Sequence, residues 1–439
     1  MSIDVKESGE EAFSTRRKWK SLRWWMLALF LLGVTVNYIT RNSLGILAPE
    51  LKTSLNMTTE QYSWVVASFQ LAYTVFQPIC GWLIDVIGLK LGFLICASIW
   101  AIVCMMHAGA GAGSWLQLAI LRFFMGGAEA AATPANAKTI ADWFPRKERP
   151  VAAGWAGVGF SIGAMLAPPI IVVAHISFGW QGAFLFSGGL ALLWVVLWWL
   201  FYHSPEDHPN LSKKELAFIR QDNEPDTEKL PFFKSLRILS KNKKFWGIAI
   251  PAFLAEPAWA VFSFWVPLYL ANERGMELKQ IAMFAWLPFL AADIGSVASG
   301  YMTNLYHKIF GFGQINSVIA SSVTGAFMMI SLAFVAITKD PYIAIALISV
   351  GGFGHQVISC MLSALVVNNF DKSQVATVNG LRGSSAWIAS FLFTLLIGAV
   401  SDTIGFGPLF VAMGFFDLIG AAFLIFLFAE RRSQKTTHA

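Results

Sequence analysis

The sequence predicts an all-α polytopic membrane protein with twelve transmembrane helices in two pseudo-repeated halves of six. Composition is the first observation, because 56% of the 439 residues are hydrophobic, only 13% are charged and the mean hydropathy is +0.59. Soluble proteins carry roughly a quarter charged residues, so this class is excluded. The second observation is that apolar runs recur at the length of about 20 residues that crosses a bilayer. The third is one long polar stretch between two sets of six such runs.

Short polar stretches separate the apolar runs and set the bounds of the predicted spans. The first half is predicted to cross at residues 24–48, 62–84, 91–110, 115–140, 151–174 and 180–201. The second half is predicted to cross at 245–270, 279–302, 314–337, 341–366, 374–399 and 408–428. No small-residue cleavage site follows the first run, which therefore reads as an uncleaved span rather than a signal peptide.

The same pattern divides the chain into five segments. These are a cytoplasmic N-terminal tail (1–23), a first six-helix bundle (24–201), a cytoplasmic linker (202–244), a second six-helix bundle (245–428) and a cytoplasmic C-terminal tail (429–439). Within the linker, Ser212 followed three residues later by Glu215 is a capping box, which predicts a short surface helix.

Basic residues set the expected orientation, because Lys and Arg collect on the cytoplasmic side of a membrane. With the N-terminus inside, 24 of the 32 Lys and Arg residues fall in inside segments and four fall in outside loops. The other four lie within spans. We therefore expect both termini in the cytoplasm and an inner-membrane location. The net charge of +6 follows from topology and says nothing about an anionic substrate.

Motifs of other protein classes are missing from the sequence. The four cysteines all lie in apolar runs, without zinc-ligand spacing, and we predict no disulfide and no metal site. The sequence has no H-E-x-x-H motif, no nucleophile elbow and no Walker motif. We expect no enzymatic activity, no cofactor, no nucleic-acid partner and a monomer in the lipid bilayer. A nonenzymatic receptor is an alternative, although no feature of the sequence points to one.

A loop signature links the two halves. Gly81-Trp82-Leu83-Ile84-Asp85-Val86-Ile87-Gly88-Leu89-Lys90 follows the second span, and a degraded copy, Gly300 to Asn304, follows the eighth. Repeated halves imply a site between them near the middle of the membrane. The first stretch matches G-x-L-x-D-x-x-G-x-K, and the chain thereby resembles the major facilitator superfamily. Arg122 to Ala130 resembles the arginine motif of that superfamily's fourth helix.

Further stretches narrow the resemblance to the anion:cation symporter branch. They are Tyr38-Ile39-Thr40-Arg41-Asn42, Tyr73 to Pro78, Arg122 with Glu129, and Asp142-Trp143-Phe144-Pro145. Over nearly the whole chain the sequence is most similar to bacterial hexuronate transporters. The resemblance implies a symporter that imports glucuronate or galacturonate with protons, using the proton gradient and no cofactor. The alternatives are another sugar acid, such as galactonate or glucarate, and an efflux antiporter, which the missing G-P-x-x-G-G element disfavours.

Charges inside spans are costly and usually face an aqueous cavity or the bundle interior. Arg41 and Arg122 start from similar depths in antiparallel spans, so we expect both guanidinium groups to meet in one cavity that opens outward. A guanidinium binds a carboxylate with two parallel hydrogen bonds. We predict Arg41 as the main partner of the substrate carboxylate, with Arg122 contributing. The alternative for Arg41 is closure of an external gate.

Uncharged polar residues share helix faces near these arginines. Tyr38 is adjacent to Arg41, and Tyr73 and Gln77 lie on one stripe of the second span. They suit sugar hydroxyls, and hydrogen bonding between helices is the alternative. Glu129 shares a face with Arg122. We predict that Glu129 pairs with Arg122 when ionised and couples a proton to transport, against a purely structural pair.

The second half offers further candidates. Glu256 precedes Pro257, where a proline can form a hinge. Glu256 and His355 are predicted to contact substrate hydroxyls, and Arg382, which shares a face with Asn379, to make a second anion contact. Structural roles and a gate role for Arg382 are the alternatives.

The loop signature has its own prediction. Gly81 and Gly88 allow a tight turn and close helix approach. Asp85 is predicted to latch the outward-facing state through a helix N-terminus or the loop at 142–149. These residues would set the populations of the states without contacting substrate.

Overall fold

The structure is a computed structural model that describes residues 21–111, 113–145, 148–221, 232–370 and 372–428. Throughout these residues the chain is helical, with no strand. Most of the predicted N-terminal tail and all of the C-terminal tail lie outside the described residues, as do positions 222–231 of the linker.

The first half and the linker contain nine α-helices within the residues that the structure describes. They are α1 (Leu22–Ile46), α2 (Ala48–Ser54), α3 (Thr59–Ile87), α4 (Leu89–Met106), α5 (Trp115–Glu129), α6 (Ala132–Trp143), α7 (Arg149–Phe201), α8 (Lys213–Ile219) and α9 (Phe232–Ser240). The second half contains α10 (Lys243–Phe264), α11 (Val266–Arg274), α12 (Leu278–Phe284), α13 (Leu287–Phe310), α14 (Gln314–Met329), α15 (Ser331–Val335), α16 (Pro341–Asn369), α17 (Lys372–Ile404) and α18 (Gly407–Phe428).

Nine helical segments among the described residues are long and apolar enough to cross a membrane. One of them, Gly159–Phe201, holds two predicted spans, because Gly179 (φ 74°, ψ 176°) breaks α7 between them. The two remaining predicted spans are α3 and the pair α5 and α6. Their lower hydropathy reflects the polar residues of the candidate site, which these helices carry.

Prolines explain where spans bend. Pro134 has no N–H to donate to the carbonyl of Ala130, and α5 ends at Glu129 immediately before this position. Pro49 lies just inside α2 and Pro267 just inside α11, so the first span of each half breaks at the same place. This shared break is a structural sign of the repeat. The predicted hinge at Pro257 is not seen, because α10 continues through it and breaks at Trp265 instead.

The halves meet through a small set of helices. In the first half α1 packs on α7 and α3 packs on α5, while in the second α13 packs on α16 and α10 on α17. Between the halves, α3 packs along α17, α1 contacts α10 and α11, and α7 contacts α12 and α13. The polar residues of α1 and α3 therefore lie on helices that border this interface, and α5 packs behind α3.

Candidate functional site

Arg41 and Glu129 form a buried ion pair between α1 and α5. Arg41 Nε lies 2.8 Å from Glu129 Oε2, and the two residues are 5% and 0% exposed. Thr40 Oγ1 donates to the carbonyl of Asn37 and lies 3.4 Å from Glu129 Oε1. The bend at Ala130 places Glu129 opposite α1. Removing one partner of such a pair costs about 3–5 kcal/mol, because the other charge stays buried.

Aromatic rings and an amide surround the rest of the Arg41 guanidinium. Its Cζ lies 4.6 Å from the ring centroid of Tyr38, 5.0 Å from Tyr73 and 5.4 Å from Phe69. Its Nη2 donates to Asn37 Oδ1 at 3.1 Å. Ring faces attract cations, so these contacts hold the guanidinium group in place. The ion pair uses Nε, and the edge formed by the two Nη atoms stays free of the ion pair.

Arg122 does not pair with Glu129, so the partner predicted from the shared helix face is wrong. The two residues are seven positions apart, about 10 Å along the helix, and Arg41 from the neighbouring helix is closer to the carboxylate. Arg122 is fully buried, donates to the backbone carbonyl of Arg41 at 3.3 Å and approaches Met125 Sδ. Its Nε has no partner among the described residues.

Phe69 keeps the two guanidinium groups apart, which corrects the expectation that they share a cavity. Its ring centroid lies 4.5 Å from Arg122 Cζ and 5.4 Å from Arg41 Cζ. Gly126 allows α5 to pack closely against Phe69, because a Cβ there would come within 2.5 Å of the Phe69 carbonyl oxygen. Sequence reasoning missed Phe69. The only available signal was its position one turn before Tyr73 on the face that turns toward the arginines.

The other polar residues of the first half line the same region. Tyr38 packs edge-on against Phe160, and the Tyr73 hydroxyl lies 3.3 Å from Thr133 Oγ1. Gln77 is half-buried one turn further along α3. Tyr73 also stacks on Trp387 of the second half, with centroids 4.4 Å apart. The sequence did not indicate this aromatic contact across the interface.

The second half contributes a separate pair of charges. Glu256 is half-buried and lies within electrostatic range of Arg382 and Tyr38, with no ion pair shorter than 4.0 Å described for it. Arg382 Nη1 lies 3.5 Å from the carbonyl of Ser359, and Asn379 is half-buried one turn earlier. His355 stacks on Trp259 at 5.3 Å, and its Nδ1 has no partner among the described residues.

The halves close tightly at the end of the bundle where α1 ends and α3 begins, here termed the closed end. The Tyr62 hydroxyl donates to the carbonyl of Phe264 at 2.7 Å, and Thr59 hydrogen-bonds to Asp402. A Cβ on Gly45 would come within 2.4 Å of the Ser263 carbonyl oxygen. Nearer the start of α17, Gly380 and Gly383 border open space. The ion pair therefore lies between a closed end and open space.

Comparison of the chain with models of protein families identifies its family. The model described as Major Facilitator Superfamily matches residues 30–394. The chain belongs to the major facilitator superfamily. This confirms the predicted fold class, and the chain is a multi-pass membrane protein.

Individual relatives within the superfamily cover nearly the whole chain. The chain is 45% identical to the hexuronate transporter of Escherichia coli K12 over 406 residues, which are 92% of this chain and 94% of that protein. It is 42% identical to the galacturonate transporter of Dickeya chrysanthemi, over 75% of this chain and 95% of that protein. A bacterial homologue of the human lysosomal transporter Spinster, crystallised inward-facing and unoccupied, matches with a TM-score of 0.73 at 17% identity, covering 93% and 96% of the two chains.

The superfamily's loop signature lies at the opposite end from the closed end. Gly88 separates α3 from α4 with φ 84° and ψ 155°, a conformation that favours glycine and makes the predicted tight turn. Gly81 packs near Pro134 of α6. The side chain of Asp85 lies outside the described residues, so its predicted latch stays a prediction.

Proposed function

We propose that the chain is a proton-coupled importer of hexuronates such as glucuronate and galacturonate, working by alternating access. The names of the two most similar relatives reported above support the substrate class. The guanidinium fork of Arg41 suits a carboxylate. The hydroxyls of a sugar ring suit Tyr38, Tyr73 and Gln77 of the first half and Glu256, His355 and Asn379 across the interface. Arg382 offers a second anion contact.

The Arg41–Glu129 ion pair carries the proposal. A substrate carboxylate and the Glu129 carboxylate compete for one guanidinium group. Protonation of Glu129 removes its charge and frees Arg41, so substrate binds Arg41 most strongly when Glu129 holds a proton. Loss of the proton restores the ion pair and expels the substrate. Arg122, which adds a positive charge behind Phe69, favours the ionised form of Glu129 and thereby ensures that the proton leaves.

The same exchange gives a stoichiometry. One carboxylate of the first half is replaced on Arg41 by one substrate carboxylate, and one proton makes the exchange possible. We therefore propose one proton per monoanion and electroneutral uptake by a monomer. The concentration of Lys and Arg away from the closed end supports cytoplasmic termini and an external closed end. In that orientation the described conformation releases substrate inward.

Reconstitution of Glu129→Gln into liposomes tests the coupling. We expect the variant to exchange labelled for unlabelled glucuronate but not to concentrate it in response to an imposed pH gradient, because Gln cannot release a proton. Asp417→Asn is the control, because Asp417 is a buried carboxylic acid of α18 with no charged partner among the described residues. Concentrative uptake by Glu129→Gln at the wild-type level would overturn the coupling role.

The substrate class has a separate test. Competition of labelled glucuronate uptake by galacturonate, galactonate and glucarate ranks the sugar acids, and we expect the two hexuronates to compete best. Uptake with pH and voltage imposed separately tests the direction and the charge balance. Export driven by an inward proton gradient would indicate an antiporter instead.

A further inference from the structure

The linker ends in a basic amphipathic segment that the transport site does not use. Residues 232–244, which comprise α9 and the start of α10, contain five Lys or Arg residues and no Asp or Glu. Arg237 lies in the last turn of α9, and Lys241 follows four positions later, directly after the end of the helix. Leu236 and Leu239 lie on a different face from Arg237. Such segregation is typical of helices that lie in a membrane interface.

The surroundings of α9 place it at the edge of the membrane-spanning bundle. Leu239 is 1% exposed and packs into the bundle, where α9 contacts α10 and α17. The Trp246 indole N–H donates to the carbonyl of Ser240, which fixes the end of α9 against the first turn of α10. The segment thus lies where a span leaves the hydrocarbon.

The outer surface of this segment combines apolar and cationic groups. Leu236, Ile238 and Trp246 are 38%, 43% and 46% exposed. Arg237, Lys241 and Lys243 are exposed, and none of them takes part in an ion pair described in the structure. Lys244 instead donates to Asn369 Oδ1 at the end of α16. Exposed apolar groups with a Trp suit the acyl and headgroup boundary, while unpaired cations suit phosphate groups.

We propose that residues 232–244 form a binding surface for the headgroups of anionic phospholipids in the leaflet at this end of the bundle. Four to eight basic residues directly beside a span attract an anionic leaflet electrostatically. Arg and Lys donate to the lipid phosphates, and Leu236, Ile238 and Trp246 enter the boundary region. The surface couples lipid composition to the linker and to α10, which carries Glu256, independently of which substrate is transported.

Lipid selectivity of the full chain tests the proposal. We would measure retained lipid by native mass spectrometry after equilibration with equal amounts of phosphatidylglycerol and phosphatidylcholine. Wild type should retain phosphatidylglycerol preferentially, and the preference should fall as the salt concentration rises from about 50 to about 500 mM, which is about one third to three times the physiological ionic strength. Equal retention of the two lipids, or a preference that salt leaves unchanged, would overturn the proposal.

A matched pair of variants localises the effect. Arg237→Gln with Lys241→Gln removes two charges from the surface and should lower the phosphatidylglycerol preference about thirtyfold. Lys213→Gln with Lys214→Gln removes two equally exposed charges from α8 and should leave the preference unchanged. An equal fall in both variants would mean diffuse attraction and overturn the proposed surface. If the first variant fails to fold, the salt series on wild type still tests the preference for anionic lipid, and a preference that salt leaves unchanged would overturn the proposal.

Discussion

Arg41 has three kinds of neighbour, and each one limits what the guanidinium can do. Glu129 balances its charge, the Asn37 amide fixes one edge, and the rings of Tyr38, Tyr73 and Phe69 cover its faces. Arg122 has ring contacts but no counter-ion among the described residues. The interior of the first half therefore carries one unbalanced positive charge when Glu129 is ionised and two when Glu129 holds a proton. The added charge, on the freed Arg41, is the one that a substrate monoanion balances in the proposed mechanism.

Phe69→Leu should weaken substrate binding about tenfold. Leu keeps much of the volume but lacks the ring face that attracts both guanidinium groups, a contribution of up to about 2 kcal/mol at desolvated sites. Titration calorimetry of the purified protein with glucuronate measures the change. Phe76→Leu is the control, because this ring lies on the same helix but packs on Phe123 and not on a guanidinium. Equal weakening by both substitutions would refute a specific role of the Phe69 ring.

Thr40→Asp should make transport sensitive to voltage. The new carboxylate would lie beside Glu129, where like charges favour binding of a second proton. Two protons with a monoanion carry net positive charge, so an inside-negative potential should stimulate uptake in liposomes, whereas we expect wild type not to respond. Thr40→Asn supplies the same shape without the charge. If voltage leaves Thr40→Asp uptake unchanged, the added carboxylate does not take part in coupling.

Sequence could identify the charged residues of the site but not their partners. Arg41, Arg122 and Glu129 stand out because ionisable residues are rare inside spans. Their pairing depends on which helices cross and at what depth. The bend at Ala130 and the close crossing at Gly126 decide that Glu129 meets Arg41 and that Phe69 screens Arg122. Neither contact follows from residues on one helix face.

Elements were predicted more completely than contacts, because span length and hydropathy depend on local composition. Each of the twelve apolar runs is helical over most of its length. The capping box predicted α8, where Ser212 Oγ accepts from the backbone N–H of Glu215 at 3.1 Å. The Arg23 network was not predicted. Its guanidinium binds Glu148 at the start of α7 through two hydrogen bonds and Glu215 of α8 at 2.9 Å. Residues this far apart give no periodic signal.

Glu215→Gln should loosen α8 from the first half. Glu215 is 9% exposed and accepts from both the side chain and the backbone N–H of Arg23, and a hydrogen bond to a charged group contributes about 1.5–3 kcal/mol. Hydrogen exchange of residues 213–219 should become faster in the variant. Glu206→Gln removes an exposed pair with Arg220 and should change little, because exposed pairs contribute about 0–1 kcal/mol. Similar exchange rates in both variants would mean that Arg23 does not hold the linker.

At the scale of the whole molecule, transport requires the two halves to separate at the closed end. The contacts there depend on small residues as much as on hydrogen bonds. Gly45 of α1 faces the Ser263 carbonyl, and Gly398 of α17 faces Ser63, where a Cβ would lie only 2.0 Å from the hydroxyl oxygen. Any side chain at these positions opposes closure. The same side chain leaves the state with separated halves unaffected, because the contact exists only when the halves meet.

Gly398→Ala should therefore shift the molecule toward the state in which the closed end is open. Spin labels on Ser54→Cys and Asn272→Cys, both exposed at that end in opposite halves, would report the change as a longer distance by double electron–electron resonance. Gly189→Ala is the matched control, because an added Cβ there meets no heavy atom within 4 Å. The control should keep the wild-type distance distribution. Uptake by Gly398→Ala should fall, since the closed end forms less often, while substrate binding through that end persists. An unchanged distance in Gly398→Ala would mean that Ser63 gives way and that close packing at this glycine does not hold the halves together.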